Sequence, residues 1–294
     1  MSHMIADGGI ETELEDRLGQ ELTEFAAYPL LATASGREAL REYFRPYMAL
    51  AETTGIPIVL DTPTWRANAD WGSVLGDDAE SLARVNADAV AFVRTTAEAF
   101  APEAEVVVNG CVGPRFDEFD AATRMSPEDA ERYHAPQVAA LAEAGADRVT
   151  SVTTLDAAEA IGVVRAAVAS RVPAYVSFTV GEDGLLADGS TLDIAIRAVD
   201  EATGSAASGF LINCAHPAAA ARALAKAPSA GARERLVGVR LNAAHEGDEG
   251  PGDAPEAFAA ATLALANSAP SLAVFGGCCG TGPAHIGALA GLLG

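Results

Sequence analysis

The chain has 294 residues, half of them hydrophobic, and a formal net charge of -22 that reflects a large excess of acidic side chains. Such a charge repels phosphate backbones and anionic lipid headgroups, so we expect neither nucleic acid nor a membrane surface as a partner. No apolar run approaches the roughly 20 residues that cross a bilayer, and no targeting segment is evident, so a cytoplasmic location is expected.

Short β-branched and apolar runs recur along the chain, and an alanine-rich stretch with helical spacing follows each of them. The runs predict eight strands, over residues 4–8, 56–62, 105–110, 148–153, 174–179, 210–214, 236–242 and 272–278. The stretches after them predict helices over residues 36–54, 77–100, 126–144, 155–170, 192–203, 217–227, 255–268 and 283–293.

Eight alternating strand and helix units predict an α/β fold, a single-domain (β/α)8 or TIM barrel over residues 1–294, because parallel strands need both faces covered. Residues 1–3 resemble a cloning remnant ahead of a native start at Met4. An open doubly wound sheet is the alternative. It would be favoured by a glycine-rich phosphate loop after the first strand, and residues 7–11 (DGGIE) lack that spacing. Residues 245–252 form an acidic loop, either a lid or plain solvated chain.

Three of the four cysteines fall at predicted carboxyl ends of strands, where barrels carry their active sites. Cys214 ends the sixth strand, and Cys278 and Cys279 end the eighth. Adjacent side chains of a regular strand point to opposite faces, so Cys278 and Cys279 can meet one ion only where the chain leaves strand geometry. Three thiolates with one open position are typical of a catalytic zinc site. Soft thiolates favour zinc over magnesium or calcium, and thiol binding without redox change favours it over copper or iron.

Spacing alone leaves other interpretations of these cysteines open, namely a vicinal disulfide or unreactive thiols that serve packing. Cys111 follows the third predicted strand without a partner, so we interpret it as packing. His216 is a weak candidate for a fourth ligand. His285 is better explained as support for the start of the last helix.

Several segments together resemble the zinc-dependent homocysteine S-methyltransferase family. Residues 276–286 (GGCCGTGPAHI), with Cys214 after an asparagine, resemble its zinc motif. Residues 7–14 (DGGIETEL) are similar to its opening motif, and residues 61–65 (DTPTW) to its segment after the second strand. Residues 112–114 and 145–147 match lesser landmarks, so the resemblance runs nearly end to end.

The resemblance implies a barrel, a zinc ion held by Cys214, Cys278 and Cys279, and methyl transfer from a sulfonium or ammonium donor to a thiol such as homocysteine, as in methionine biosynthesis. Zinc lowers the pKa of a thiol, so the acceptor would bind as thiolate at neutral pH without a dedicated general base. The implied partners are small molecules, a thiol acceptor and a methyl donor. The oligomeric state stays open.

The resemblance also implies substrate-binding residues. Asp7, Gly8 and Thr62 would hold the amino acid end of homocysteine, and an ordinary turn is the alternative for residues 7–9. Trp65 would cover the donor cation, because an aromatic face attracts an onium methyl group. The alternative for Trp65 is a packed aromatic beneath a helix.

Val152 departs from the family pattern, which usually places a glutamate there to bind the substrate ammonium. A valine cannot accept the hydrogen bonds of an ammonium group, and an unpaired buried charge is costly. Either Asp61 supplies the missing carboxylate from a neighbouring strand, or the acceptor is not an α-amino acid.

Two arginines favour the second option. Residues 240–242 (RLN) replace a segment that often reads YPN in the family, and Arg66 follows Trp65. Arg240 and Arg66 are therefore both expected to face the mouth. An anionic thiol would then pair its carboxylate with Arg240 or Arg66. A non-catalytic zinc- or thiol-binding protein is a further alternative. Metal-dependent hydrolysis is disfavoured because the first strand offers only Asp7 as a ligand.

Overall fold

Eight parallel strands close into a barrel in the computed structural model, which describes residues 3–118, 120–247, 250 and 252–294. The strands are β1 (Met4–Ala6), β2 (Ile58–Asp61), β3 (Val106–Val112), β4 (Arg148–Thr154), β5 (Ala174–Phe178), β6 (Gly209–Asn213), β7 (Leu236–Leu241) and β8 (Val274–Gly277). Each strand pairs with the next in the chain, and β8 pairs with β1. Residues 1 and 2 of the expected remnant, and residues 248, 249 and 251 of the acidic loop, lie outside the described residues.

Helices cover the outside of the barrel. In the described residues they are α1 (Ile10–Asp16), α2 (Ala34–Thr54), α3 (Ala69–Leu75), α4 (Ala79–Phe100), α5 (Pro127–Glu143), α6 (Ala157–Ser170), α7 (Leu192–Thr203), α8 (Pro217–Lys226), α9 (Ala230–Arg235), α10 (Pro255–Ala264) and α11 (Pro283–Leu293). Short 3-10 turns occur at Thr23–Phe25, Tyr28–Ala32 and Leu265–Asn267. No helix among the described residues is long and apolar enough to span a membrane.

The predicted barrel is confirmed, and each predicted strand and helix has a counterpart whose ends differ by a few residues. The third strand was placed too short, because it continues through Cys111 to Val112. Three helices were not predicted, namely α1, α3 and α9. Each has six or seven residues, fewer than two full turns, so helical periodicity has little to act on.

Helix starts follow local chemistry. The Ser126 hydroxyl accepts a hydrogen bond from the Asp129 amide, and Pro127 occupies the first turn of α5, where its missing N–H costs nothing. Asp156 caps α6 by accepting from the amides of Ala158 and Glu159. These caps fix the residue at which each helix begins after the preceding strand. They therefore also set the length of the loops that form the barrel mouth.

Helices α5 and α6 pack closely through Gly162. A Cβ at Gly162 would lie 2.5 Å from the Glu131 amide nitrogen and closer still to the Ala130 Cβ. We therefore expect Gly162→Ala to lower the free energy of unfolding by about 1–3 kcal/mol through overpacking, although alanine favours helix more than glycine does. Urea unfolding measures this. The control is Gly291→Ala in α11, where a Cβ meets nothing within 4 Å. Equal stabilisation by both changes would contradict the expected overlap.

Candidate metal and substrate site

The three predicted cysteines meet at the carboxyl ends of the strands. Their sulfur atoms all lie within 4.8 Å of one another, and the Sγ atoms of Cys214 and Cys279 are 3.9 Å apart. Strand register explains the meeting, because Asn213 of β6 lies opposite Arg240 of β7, and Arg240 lies opposite Gly276 of β8. The cysteines follow one to three residues beyond this row. Among the described residues, this is the cluster of side chains that could hold a metal ion.

The local backbone lets both neighbouring cysteines face the same point. Strand β8 ends at Gly277, so Cys278 and Cys279 lie in the turn that follows it. The Cys278 amide still bonds to the Leu241 carbonyl at 2.8 Å, and the Thr281 amide closes the turn on the Cys278 carbonyl at 3.1 Å. Gly280 has a φ of 72°, which favours glycine. The expected departure from strand geometry is therefore present.

The thiols form one hydrogen-bonded group. All four cysteines are free thiols, so the alternative of a disulfide between Cys278 and Cys279 does not match the structure. Hydrogen bonds from Cys214 and Cys279 hold the pKa of the Cys278 thiol well below its usual range, and the Arg240 charge adds to this. Donation to Cys278 and Cys279 raises the pKa of Cys214 well above its usual range. For Cys279, a hydrogen bond with Cys214 lowers the pKa, but the hydrogen bond to Cys278 and its charge raise it overall.

A cavity of about 170 Å³ opens beside the cysteine cluster. Its walls include all three cysteines and five of the seven predicted substrate residues, namely Gly8, Thr62, Trp65, Val152 and Arg240. Asp7 and Arg66 do not line it. Cys111 also lines the cavity from within β3, so placing it after the strand was wrong.

Arg240 is held between two buried carboxylates. Its Nη2 lies 2.6 Å from Asp7 Oδ1, and its Nη1 donates to Asp61 Oδ2. Burial raises the pKa of Asp7 well above its usual range, and Arg240 opposes this rise. Asp61 also accepts from Asn109 Nδ2 at 2.6 Å. The charge of Arg240 at the cavity wall is therefore already neutralised by Asp7 and Asp61. This does not fit the expectation that Arg240 is free to pair with the carboxylate of an anionic thiol.

Arg66 is likewise engaged within the protein. It donates to the Asp117 carboxylate and to the Glu24 carbonyl. Its guanidinium carbon lies 4.9 Å from the ring centroid of Trp65 and 3.8 Å from that of Trp71. The expectation that Arg66 faces the mouth with a free charge therefore does not match its position.

Trp65 forms an aromatic wall together with Phe25, which the sequence analysis missed. The two rings meet edge to face with centroids 6.4 Å apart, and both line the cavity. Phe25 lies in a 3-10 turn with a φ of 52°, and nothing in the sequence around a loop aromatic signals that position. Arg66 covers part of Trp65, so Phe25 adds aromatic surface that remains in the cavity.

The end of β4 presents an apolar side chain to the cavity. Val152 lines the wall, and Thr153 beyond it has a φ of 59°. The Thr153 amide donates to Asn213 Oδ1 at 3.0 Å, which ties β4 to β6 beside Cys214. The end of β4 therefore offers the cavity no carboxylate for a substrate ammonium group, as Val152 in the sequence indicated.

Glu11 is a second residue that the sequence analysis missed, although it lies in the quoted opening motif. It is the second residue of α1 and lines the cavity. Burial raises its pKa to about 7. Its position depends on α1, a helix too short to be predicted, so no sequence signal placed it here.

The two histidines near the cluster have structural partners. His216 Nδ1 accepts from the Ala218 amide at 3.2 Å, and its Nε2 lies 3.0 Å from Asp253 Oδ2, so it caps α8 and is not part of the cluster. His285 Nδ1 accepts from the Gly282 amide at 3.1 Å at the start of α11, which agrees with the predicted supporting role.

Comparison with known proteins places this site in a family. A family model described as homocysteine S-methyltransferase matches residues 4–293. The metallated form of the homocysteine methyltransferase MmuM from Escherichia coli has 25% identity and a TM-score of 0.79 to this chain, covering 99% of this chain and 96% of that one. The oxidized form of MmuM has 24% identity and a TM-score of 0.81, with the same coverage. No curated protein sequence matches significantly. The chain belongs to the homocysteine S-methyltransferase family, and it is an S-methyltransferase.

Proposed function

We propose that this enzyme methylates the thiol of homocysteine, using a zinc ion held by Cys214, Cys278 and Cys279. The observation that carries the proposal is the convergence of three thiols in the wall of a cavity that also contains Gly8 and Thr62. The family description and the name of MmuM support the same acceptor. A metallated form of MmuM supports a metal in the site.

The cysteine cluster fits zinc in its spacing and chemistry. Zinc–sulfur bonds of about 2.3 Å in a tetrahedral arrangement separate the sulfur atoms by about 3.8 Å. The 3.9 Å between the sulfurs of Cys214 and Cys279 is close to this value. Three protein ligands also leave one position for a substrate. When bound, zinc would lower the pKa of the acceptor thiol so that a thiolate is available at neutral pH.

The protein's own residues would orient the two substrates. We place the amino acid part of homocysteine near Gly8 and Thr62, next to the cysteines. We place the onium methyl of the donor against Trp65 and Phe25, whose ring faces attract such cations. Fixing sulfur and methyl in line contributes to rate by itself, because a bimolecular step becomes an intramolecular one. Because zinc would hold the acceptor as a thiolate, no side chain is needed as a general base for the acceptor thiol.

Charge in the cavity supports an acceptor with a cationic group over an anionic thiol. Among the described residues, the acids that line the cavity are Glu11, Asp61 and Asp117, and the base that lines it is Arg240. Arg240 is shared between Asp7 and Asp61, and Asp117 pairs with Arg66. The local balance is therefore acidic, which would repel a mercapto acid that carries no ammonium group.

The proposal is tested by measuring zinc and turnover on the same protein. We expect about one zinc per chain by mass spectrometry of the purified protein. Methyl transfer is assayed from S-methylmethionine, S-adenosylmethionine and betaine to homocysteine and to 4-mercaptobutyrate, which is homocysteine without its amino group. We expect kcat/KM for homocysteine to exceed that for 4-mercaptobutyrate at least about tenfold. Polar groups of the site that would bind the ammonium group of homocysteine have no partner on 4-mercaptobutyrate. Equal or faster turnover of 4-mercaptobutyrate would overturn the acceptor assignment, and zinc without any transfer would overturn the reaction.

A further inference from the structure

Glu11 faces the cavity because of the way α1 packs. Ile10, Glu13 and Leu14 are buried on one side of the helix, at the spacing of a single helical face. Glu13 on that face accepts from Arg17 Nε at 2.6 Å and from the Tyr47 hydroxyl. Glu11 lies off this face and lines the cavity with Thr12.

Among the residues that the structure describes, Glu11 differs from the other acids around this cavity because no side chain pairs with it. Asp7 and Asp61 share Arg240, and Asp117 pairs with Arg66. Glu11 makes no hydrogen bond or ion pair with any other side chain in the part of the chain that the structure describes. Glu11 is partly buried in the cavity wall, and a partly desolvated carboxylate without a partner costs free energy that a bound cation would recover.

An acid in a first helical turn also stabilises the helix itself, through the partial positive charge of the amino end. That role needs only a solvent-exposed side chain, as Glu80 at the start of α4 illustrates. It does not explain why Glu11 is turned into a cavity beside the cysteines. The helix dipole therefore does not require the position beside the cavity that the packing of α1 gives to Glu11.

The cation that suits Glu11 carries N–H groups. A carboxylate gains most from charge-assisted hydrogen bonds, which a primary ammonium donates and a sulfonium or quaternary ammonium cannot. The onium group finds its aromatic partners at Trp65 and Phe25 instead. Glu11 and Cys278 line the same cavity, so an amino thiol bound at the cysteines would have its ammonium group beside Glu11.

We propose that Glu11 binds the ammonium group of the thiol acceptor and so makes the enzyme selective for amino thiols. The proposal rests on thiol methylation at the cysteine cluster. Val152 and Thr153 leave the β4 side of the cavity without a carboxylate, and Asp61 already pairs with Arg240 and Asn109. Glu11 thus takes the role that the sequence analysis assigned to Asp61 as the alternative.

The decisive variant is Glu11→Gln, which keeps the shape of the side chain and removes its charge. We expect kcat/KM for homocysteine to fall about 10- to 100-fold, mainly through KM, because one charge-assisted hydrogen bond is lost. The value for 4-mercaptobutyrate is expected to stay equal or to rise. Glu11→Asp keeps the charge, so it is expected to retain part of the preference for homocysteine over 4-mercaptobutyrate. Asp16→Asn, at the exposed end of the same helix, is the matched control and is expected to leave kcat/KM unchanged for both homocysteine and 4-mercaptobutyrate.

Binding measurements separate this proposal from the proposed reaction. Calorimetric titration of the zinc-loaded protein with homocysteine is expected to show the same loss of affinity in Glu11→Gln, at unchanged zinc content and unchanged or higher thermal stability. Equal losses for homocysteine and 4-mercaptobutyrate would overturn the role of Glu11 while leaving the reaction intact. Absence of turnover by the unaltered protein would overturn the reaction, and the titration would still decide whether Glu11 recognises the ammonium group.

Discussion

Cys278→Ser is expected to remove most of the bound zinc and to lower kcat/KM for methyl transfer at least about 10³-fold. A serine hydroxyl is a hard ligand that stays protonated at neutral pH, whereas zinc in such sites prefers thiolates. The three sulfur atoms lie within 4.8 Å of one another, so loss of the Cys278 thiolate leaves only two of the three proposed ligands. Losing metal activation of the acceptor is worth several kcal/mol of barrier, which corresponds to this factor.

Cys111→Ala is the matched control for zinc content. Cys111 is buried in β3 near the same cavity, but its sulfur is not in the cluster. We expect this variant to keep its zinc, as measured by mass spectrometry, while Cys278→Ser does not. Equal zinc content in the two variants would show that the metal, if bound, lies elsewhere.

Arg240→Met is expected to lower the free energy of unfolding by about 3–5 kcal/mol, the largest stability effect that we expect from a single change in this chain. The change leaves Asp7 and Asp61 buried without their shared cation, and an uncompensated buried charge is strongly destabilising. Had Arg240 been free to bind substrate, the same change would raise KM and leave stability nearly unaffected. Urea unfolding distinguishes the two.

The loss in Arg240→Met is expected to depend on pH. Burial already raises the pKa of Asp7 well above its usual range, and removing Arg240 takes away the charge that opposes this. A carboxyl whose pKa is raised in the folded state keeps a proton that the unfolded chain releases, so stability falls as pH rises from the unfolded towards the folded pKa. The difference from the unaltered protein should therefore be larger at pH 8 than at pH 5.

A second change tests the cause. Asp7→Asn added to Arg240→Met removes one of the stranded charges, so the double variant is expected to be more stable than the single one, with a weaker pH dependence. A purely additive further loss would contradict the charge explanation, because coupled groups in contact do not add. The barrel fold of each variant is checked by circular dichroism.

The fold and the cysteine cluster could be predicted because they follow from local patterns and one general rule. Alternating apolar runs and alanine-rich stretches determine strands and helices over neighbouring residues. Cys214, Cys278 and Cys279 each follow such a run, and barrels gather the residues after their strands at one end. The glycines around Cys278 and Cys279 indicated where the strand must stop.

The roles of the charged residues were decided only by the tertiary structure. Arg240 is 233 positions from Asp7 and 179 from Asp61, and only closure of the barrel brings the three together. Arg66 reaches Asp117 across 51 positions in the same way. Two arginines that were expected to attract an anionic thiol are thus neutralised from within.

Glu11 shows the opposite outcome. Closure of the barrel leaves its carboxylate unpaired beside the cysteines, and its place in a short sequence motif did not predict this. The sequence by itself determined the barrel, because periodicity is a local property. Its resemblance to a family motif at residues 276–286 and at Cys214 indicated the family and, with the strand ends, the three clustered thiols. The tertiary structure decided which charges remain available to a substrate beside those thiols. The physical reason is that a charge acts through the partners it meets in space, and its neighbours in sequence do not reveal them.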